Sequence, residues 1–199
     1  PDILKQNGDV YRRLRNTLRY LLGALKGMNA KERVAPKEMP ELERWVLNRL
    51  LEIDGIMRDD LAKFDLGHLM TTLFNFCNAD LSAFYFDIRK DSLYCDSADT
   101  MRRRAARTVM ELVFNHLVVW LAPFLSFTAE EAWLSHFGDS ANSVHLQTYP
   151  AVPSEWKDEI LAKKWADIRV IRRVVTGAME LARNEKKIGA PLQAHPHVY

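Results

Sequence analysis

Apolar residues recur at every third or fourth position along almost the whole chain of 199 residues. This spacing is typical of amphipathic α-helices, whereas no stretch alternates with period two over a length that would indicate a β-strand. We therefore predict an all-α fold, an up-and-down antiparallel helical bundle that ends in a short irregular or β tail. The predicted helices occupy residues 10–26, 41–64, 66–88, 100–121, 128–137 and 154–187.

Several residues mark where the predicted helices begin and end. Asp65 can cap the third helix, and Thr128 with Glu131 forms a capping box for the fifth. Gly138 stops the fifth helix, and the glycine and prolines after residue 188 forbid further helix. The fourth helix is apolar nearly all round over 109–121, so we expect its neighbours to enclose it.

The tail suggests the domain organisation. Residues 1–188 are predicted to form one helical-bundle domain, and residues 189–199 are interpreted as the start of a C-terminal junction region of a longer protein. The absence of an initiator methionine favours the same interpretation. No stretch is apolar over the length that a membrane span needs, and no targeting leader opens the chain. Cys77 and Cys95 have no motif spacing and are interpreted as reduced structural thiols of a cytoplasmic protein.

One face of the first predicted helix is strongly basic. At about 100° per residue this face lies roughly 120° from the apolar stripe. Its members are Arg12, Arg15, Asn16, Arg19 and Lys26. The planar fork of arginine can donate two hydrogen bonds to phosphate oxygens, and residues 10–26 contain no acidic side chain that would compete. A merely solvated face is the alternative, but such helices usually interleave glutamates with their cations, so a polyanionic partner is favoured.

A second cluster of arginines opens the fourth predicted helix. It consists of Arg102, Arg103, Arg104 and Arg107. Positive charge is unfavourable at a helix N-terminus. Local salt bridges to Asp96 and Asp99 are favoured over phosphate contact as the explanation. The net charge is only +2, but an acid-rich stretch at 38–65 is segregated from the basic segments, and local fields decide what binds.

Residue patterns that carry catalysis are missing from the sequence. It has no glycine-rich phosphate loop, no Cys-x-x-Cys pair, no His-Glu-x-x-His and no serine in a nucleophile elbow. His116 lies on an apolar stripe and is interpreted as a hydrogen-bonded core residue. His195 and His197 could bind a metal weakly, but chance spacing explains them better. We therefore predict no catalytic residue, no metal site and no cofactor for this chain.

Asp80 falls on the apolar stripe of the third predicted helix, between Cys77 and Phe84. A carboxylate in that position needs a partner or a shifted pKa. A general base would need a second titrating group at a fixed spacing, and the sequence offers none. Asp80 is therefore predicted to accept hydrogen bonds from an arginine, a tryptophan or backbone donors of a neighbouring helix, and to orient that partner towards a ligand.

Several sequence blocks occur in a characteristic order. The blocks are Tyr11-Arg-Arg-Leu-Arg-Asn-Thr-Leu-Arg-Tyr-Leu-Leu-Gly23, Glu43-Arg-Trp-Val-Leu-Asn-Arg-Leu50, Asn75-Phe-Cys-Asn-Ala-Asp-Leu-Ser-Ala-Phe-Tyr85, Leu121-Ala-Pro-Phe-Leu-Ser-Phe-Thr-Ala-Glu-Glu-Ala-Trp133, Val144-His-Leu-Gln-Thr-Tyr-Pro150 and Ala182-Arg-Asn-Glu-Lys-Lys-Ile-Gly189. Together they resemble the tRNA anticodon-binding helical domain of class I isoleucyl-tRNA synthetases over essentially the whole chain. The arginine before Asn16 is similar to isoleucyl rather than valyl members, where tryptophan is usual.

This resemblance implies a domain that follows a nucleotide-binding catalytic core and holds the anticodon stem and loop of tRNA(Ile). The His-x-Gly-His and Lys-Met-Ser-Lys-Ser signatures of that core are absent, so this chain alone is expected to be inactive. The parent would be an isoleucine-tRNA ligase that uses ATP with Mg²⁺, cytoplasmic and monomeric. The implied partners are tRNA(Ile) and the catalytic domain of the same polypeptide, with no membrane.

The resemblance also suggests which side chains contact tRNA. Those predicted to hold phosphate and ribose groups along the anticodon stem are Arg12, Arg15, Asn16 and Arg19. Lys90 and Tyr94, at the end of the third helix, are further candidates. Three alternatives remain: the equivalent domain of a valyl- or leucyl-tRNA synthetase, a bundle whose basic faces bind acidic proteins, and a helical-bundle enzyme, which the missing acid-base pair disfavours.

Overall fold

The computed structural model describes residues 2–198, which contain helices and no β-strand. The predicted all-α class is therefore confirmed. The chain divides into two compact units between Lys157 and Asp158. The predicted domain boundary after residue 188 stays a prediction.

The first unit is a helical bundle built around one enclosed helix. Its helices are α1 (Asp2–Leu25), α2 (Glu41–Lys63), α3 (Leu66–Asn75), α4 (Asp87–Cys95), α5 (Met101–Leu121) and α6 (Ser126–Phe137), with a π-helical segment (Phe76–Phe86) between α3 and α4. α5 packs against α1, α2, α4 and α6. Phe114, Leu117 and Val118 of α5 are completely buried, which confirms that this apolar helix is enclosed.

Helix α1 begins eight residues before the predicted start at Val10. Its first two turns are exposed and include Gly8, so they carry no apolar stripe that could have indicated a helix. The buried face is the predicted one from Leu14 onward, with Leu18, Leu21 and Leu25 following at spacings of three and four. This face packs against α5, α6 and the π-helical segment, which leaves the opposite face in solvent.

The third predicted helix is interrupted by the π-helical segment. A π-helix pairs each residue with the fifth along, so the side chains turn less per residue than in an α-helix. Phe76, Cys77, Asp80 and Leu81 are consequently all buried, a denser apolar face than the regular stripe that the sequence predicts. At the end of that predicted stripe, Ile88 is 37% exposed.

The helix-end signals at Asp65 and Gly138 are confirmed. The Asp65 carboxylate accepts a hydrogen bond from the His68 backbone N–H at 3.0 Å, which caps α3. Gly138 ends α6 with a φ of 87°, a left-handed region that favours glycine. The predicted capping box of Thr128 and Glu131 is wrong, because α6 already begins at Ser126 and both side chains face α1 instead.

The second unit contains one long helix, α7 (Glu159–Asn184). Its N-cap is Asp158, whose carboxylate accepts from the Leu161 N–H at 2.9 Å. The predicted helix over 154–187 is therefore too long at both ends, because a 3-10 turn at Ser154–Trp156 follows Pro153 and the α-helix begins only after Asp158. The tail up to residue 198 is irregular apart from a 3-10 turn at Pro191–Gln193.

Candidate nucleic-acid interface

The predicted basic residues share one exposed side of α1, and Lys26 directly follows the last residue of that helix. Arg12, Asn16, Arg19 and Lys26 are exposed and Arg15 is half-buried. At a rise of about 1.5 Å per residue, the positions from Arg12 to Lys26 span about 21 Å. We call these five residues the α1 basic face. It offers a row of cations long enough to follow several consecutive phosphates of a nucleic-acid strand.

Two arginines of the α1 basic face have acidic neighbours, which corrects the expectation that the face has no counter-ions. Arg12 contacts Asp9 at 2.5 Å, and Arg15 lies 3.8 Å from Glu131 of α6. Asp9 belongs to the unpredicted first turns of α1, and Glu131 is distant in sequence. The arginine side chains nevertheless remain 70% and 43% exposed, and exposed ion pairs of this kind stabilise a protein by about 1 kcal/mol at most.

Helix α6 forms a shallow cavity of about 150 Å³ with the middle of α1. Arg15 and Arg19 line it on one side, and Thr128, Glu131 and Ser135 on the other. The Tyr11 and Thr128 hydroxyls, 3.1 Å apart, join the two helices beside it. Part of the α1 basic face, at Arg15 and Arg19, therefore borders a neighbouring helix.

The two further candidates lie at different places. Lys90 is exposed and donates to Asp87 at 3.0 Å, a hydrogen bond that raises the pKa of its ammonium group. Tyr94 is 77% exposed near the end of α4. It lines a larger cavity together with Arg19. The structure thus brings Tyr94 to the α1 basic face, whereas Lys90 lines neither of these two cavities.

Most of the arginines at the start of α5 have hydrogen-bond or ion-pair partners within the chain. Arg102 donates two hydrogen bonds to Asp96, at 2.9 and 3.0 Å, so the predicted local salt bridge is confirmed there. Arg104 donates to backbone carbonyls of the Ala30–Glu32 turn. Arg107 is buried, pairs with Glu32 and donates to the carbonyls of Ala24 and Lys26. Arg103 differs from these three because its Nε is buried and has no acceptor in the described part of the chain, and it lines the same cavity as Tyr94.

Asp80 is buried in the π-helical segment, as its position on the apolar stripe predicts. One of its carboxylate oxygens accepts from Arg49 of α2 at 3.0 and 3.2 Å. Arg49 also pairs with Glu52, and although burial lowers the pKa of Arg49, the two carboxylates outweigh it and raise that pKa. The partner of Asp80 is therefore an arginine of a neighbouring helix, while an orienting role towards a ligand stays a prediction.

Sequence reasoning missed a second buried ion pair, which also joins α2 to a later helix. Glu43 of α2 is fully buried and accepts two hydrogen bonds from Arg89, at 2.6 and 2.7 Å. The buried Tyr85 hydroxyl donates to the same carboxylate at 3.1 Å, and burial raises the pKa of Tyr85. Glu43 and Arg89 lie 46 positions apart, so no local spacing could have indicated this pair.

The interpretation of His116 as a core residue is confirmed. It is 5% exposed, and its Nδ1 lies 2.7 Å from the Leu112 carbonyl. Burial lowers the pKa of His116. Trp45, Trp120 and Trp156 are also buried, as expected of core packing rather than base stacking.

The two cysteines and the tail histidines form neither a disulfide nor a metal site within the described residues. Both thiols are free, Cys77 in the core and Cys95 at the surface. The rings of His195 and His197 lie 4.7 Å apart. Within residues 2–198 no group of three or more histidine, cysteine or acidic side chains could hold a metal ion. None of the helices in that range is long and apolar enough to cross a membrane.

Comparison with known proteins decides the family. Residues 43–198 match the family described as the anticodon-binding domain of tRNA ligase. The chain belongs to this family. Isoleucine-tRNA ligase of Agrobacterium fabrum is 51% identical over 197 residues, and that of Ruegeria pomeroyi is 50% identical over 200 residues. These matches cover 99% and 100% of the chain but only 20% of each relative.

The chain spans about a fifth of the length of these curated relatives. The family match itself begins at Glu43, after α1. The similarity to the isoleucine-tRNA ligases extends over nearly the whole chain and therefore includes α1 and its basic face. The resemblance seen in the sequence blocks is thereby confirmed.

Proposed function

We propose that this anticodon-binding domain holds the anticodon stem and loop of tRNA(Ile) through the α1 basic face. The observation that carries the proposal is the row of solvent-accessible cations from Arg12 to Lys26, on a helix that contacts α6 through the Tyr11 and Thr128 hydroxyls. Phosphate contacts of this kind position a nucleic acid without reading its sequence. Arg12, Arg15 and Arg19 supply guanidinium forks for phosphate, and Asn16 supplies an amide that suits a ribose hydroxyl.

The parent protein is proposed to be an isoleucine-tRNA ligase, as the relatives of this chain are named. Its catalytic domain, on the same polypeptide, would use ATP and Mg²⁺ to activate isoleucine. We propose that the domain alone forms no aminoacyl-adenylate, because its sequence lacks the His-x-Gly-His and Lys-Met-Ser-Lys-Ser signatures of the catalytic core. We further propose that the parent is a cytoplasmic monomer. An ATP-pyrophosphate exchange assay on the domain would contradict its inactivity if it gave an isoleucine-dependent signal.

The role of α1 is tested by titrating the chain with tRNA(Ile) at several salt concentrations. The double variant Arg15→Ala, Arg19→Ala should lower affinity and reduce the slope of log affinity against log salt by about 2, since each phosphate contact contributes about 1. The matched control is Lys37→Ala, Lys63→Ala, which removes the same charge from exposed positions outside α1. Equal slopes for the two double variants would exclude the α1 basic face from the interface.

The same titration separates tRNA binding from binding of acidic proteins in general. Heparin and an acidic protein serve as competitors of similar charge. A domain built for a folded RNA should bind tRNA(Ile) more tightly than either competitor at equal salt. Equal affinity for all three would favour a basic protein-interaction bundle instead.

A further inference from the structure

A cavity of about 400 Å³ lies between the C-terminal half of α1, the end of α4 and the start of α5. We call it the α1–α5 cavity. Its polar lining consists of Arg19, Tyr20, Lys26, Tyr94, Arg103 and Arg107. None of the described residues that line it is acidic. Its volume lies in the range of about 300–1,000 Å³ typical of small-molecule sites, so it is larger than a bare inorganic anion requires.

The cations of this cavity are of two kinds. Arg107 is already paired with Glu32 and donates to two backbone carbonyls, so its guanidinium is not available to a ligand. Arg19, Lys26 and Arg103 pair with no carboxylate within residues 2–198. Three cations that face one cavity without acids create a positive potential, which favours an anionic ligand.

Two polar groups of the cavity lack hydrogen bonds of normal geometry. The Nε of Arg103 is buried and has no acceptor in the described part of the chain. The Tyr20 hydroxyl is also buried, and the neighbouring Tyr94 hydroxyl does not reach it in normal hydrogen-bond geometry. Burial, with Tyr94 adding to it, raises the pKa of Tyr20 to about 12, so its hydroxyl remains protonated and can donate. Buried donors without acceptors are unfavourable, and a ligand oxygen would satisfy them.

The aromatic groups of the cavity differ in exposure. The Tyr20 ring stacks on Phe86 of the π-helical segment, with 4.4 Å between centroids and 21° between planes, which fixes its hydroxyl in place. The Tyr94 ring is 77% exposed at the opening. An exposed ring beside a cluster of cations is the arrangement by which proteins stack an unpaired base above its phosphate.

We propose that the α1–α5 cavity binds one unstacked nucleotide of the bound RNA, with its phosphate against Arg19, Lys26 and Arg103 and its base on the ring of Tyr94. This inference rests on the proposed function and deepens it, because it assigns a nucleotide site at one end of the α1 basic face. The site discriminates single-stranded from fully paired RNA, since a paired base cannot reach Tyr94.

The first test uses tRNA(Ile) and a pair of neighbouring arginines. Arg103→Gln should weaken binding about ten-fold and reduce the salt slope by about 1. Arg102→Gln is the matched control, because it removes the same charge from a side chain already paired with Asp96. Tyr94→Ala should weaken binding about five-fold or more, and Tyr94→Phe should retain it, because stacking needs only the ring. Equal affinities for Arg103→Gln and Arg102→Gln would overturn the proposal.

The second test does not depend on tRNA. Adenosine 5′-monophosphate, adenosine and inorganic phosphate are titrated separately while the ¹⁵N resonance of Arg103 Nε is followed. We expect the monophosphate to shift this resonance at lower concentration than either of the other two. No shift with the monophosphate would overturn the nucleotide site even if tRNA binds, whereas a shift without tRNA binding would uphold the site and contradict the proposed function.

Discussion

The arginines of α1 differ in solvent exposure and in partners from Arg89 of α4, which pairs with Glu43 of α2. On α1, Arg12 and Arg15 stay largely in solvent, and their acidic neighbours are themselves exposed. Arg89 is 11% exposed and clamps the fully buried Glu43 with two short hydrogen bonds. The first kind of arginine remains available to a ligand, and the second is committed to the fold. The location of the opposing carboxylate, more than the arginine itself, decides which role results.

The largest expected effect comes from breaking the buried pair. Arg89→Ala leaves the Glu43 carboxylate buried without its guanidinium, which should lower the free energy of unfolding by about 3 kcal/mol. Arg12→Ala removes an exposed partner of Asp9 and should lower it by about 0.5 kcal/mol or less. Urea denaturation at pH 7 measures both variants. Similar losses for the two would contradict the distinction between committed and available arginines.

A smaller effect is expected from pH, which acts on the interior but not on the α1 basic face. Burial lowers the pKa of His116 and of His136 from the usual 6.5. Below pH 6.5 the unfolded chain therefore binds protons that the folded chain does not. The free energy of unfolding should be highest above that pH and should decrease as the pH falls below 6.5.

Urea denaturation at a series of pH values measures this dependence. His116→Gln should reduce the decrease, because one of the two titrating groups is lost. His145→Gln, at an exposed histidine, serves as the control. An unchanged pH profile in His116→Gln would show that the buried ring does not carry the effect.

The smallest expected effect is on the affinity for tRNA(Ile), and it concerns the exposed ion pair of Arg15. Glu131→Gln removes the acid that faces Arg15 at 3.8 Å and should raise the affinity for tRNA(Ile) about two- to five-fold at low salt. The gain should fade at high salt, because screening weakens exposed charges. Glu155→Gln removes the same charge from an exposed position in a different part of the first unit. A gain of equal size in both variants would indicate a general charge effect.

Helix positions could be predicted from the sequence where the signal depends only on residues that are close together in the chain. The apolar pattern of α5, the Asp65 cap and the Gly138 stop depend on local spacing, and the structure confirms all three. The capping box at Thr128 failed because its side chain contacts Tyr11, 117 positions away. In the third predicted helix most of the apolar stripe from Leu69 to Phe84 is buried as expected. The π-helical segment was not predicted, because sequence spacing does not show a change in rotation per residue.

The candidate site was predicted in part, for the same reason. Helical phase is enough to gather Arg12, Asn16 and Arg19 on one side of α1. It cannot show that Glu131 approaches Arg15 from α6, or that Tyr94 meets Arg19 in one cavity. The distinct position of Arg103 among four similar arginines was equally invisible, because its neighbours are set by which acids and carbonyls the folded chain brings within reach.

By itself, the sequence determined the helical class, the enclosed character of α5, and the basic character of one side of α1, since each depends on the periodic spacing of residue types along one helix. Only the tertiary structure decided which charges are neutralised and which are open to solvent. Ion pairs such as Glu43 with Arg89 and Glu32 with Arg107 join residues 46 and 75 positions apart. The energy of a charge depends on its burial and on its nearest opposite charge, and both are properties of the packed chain.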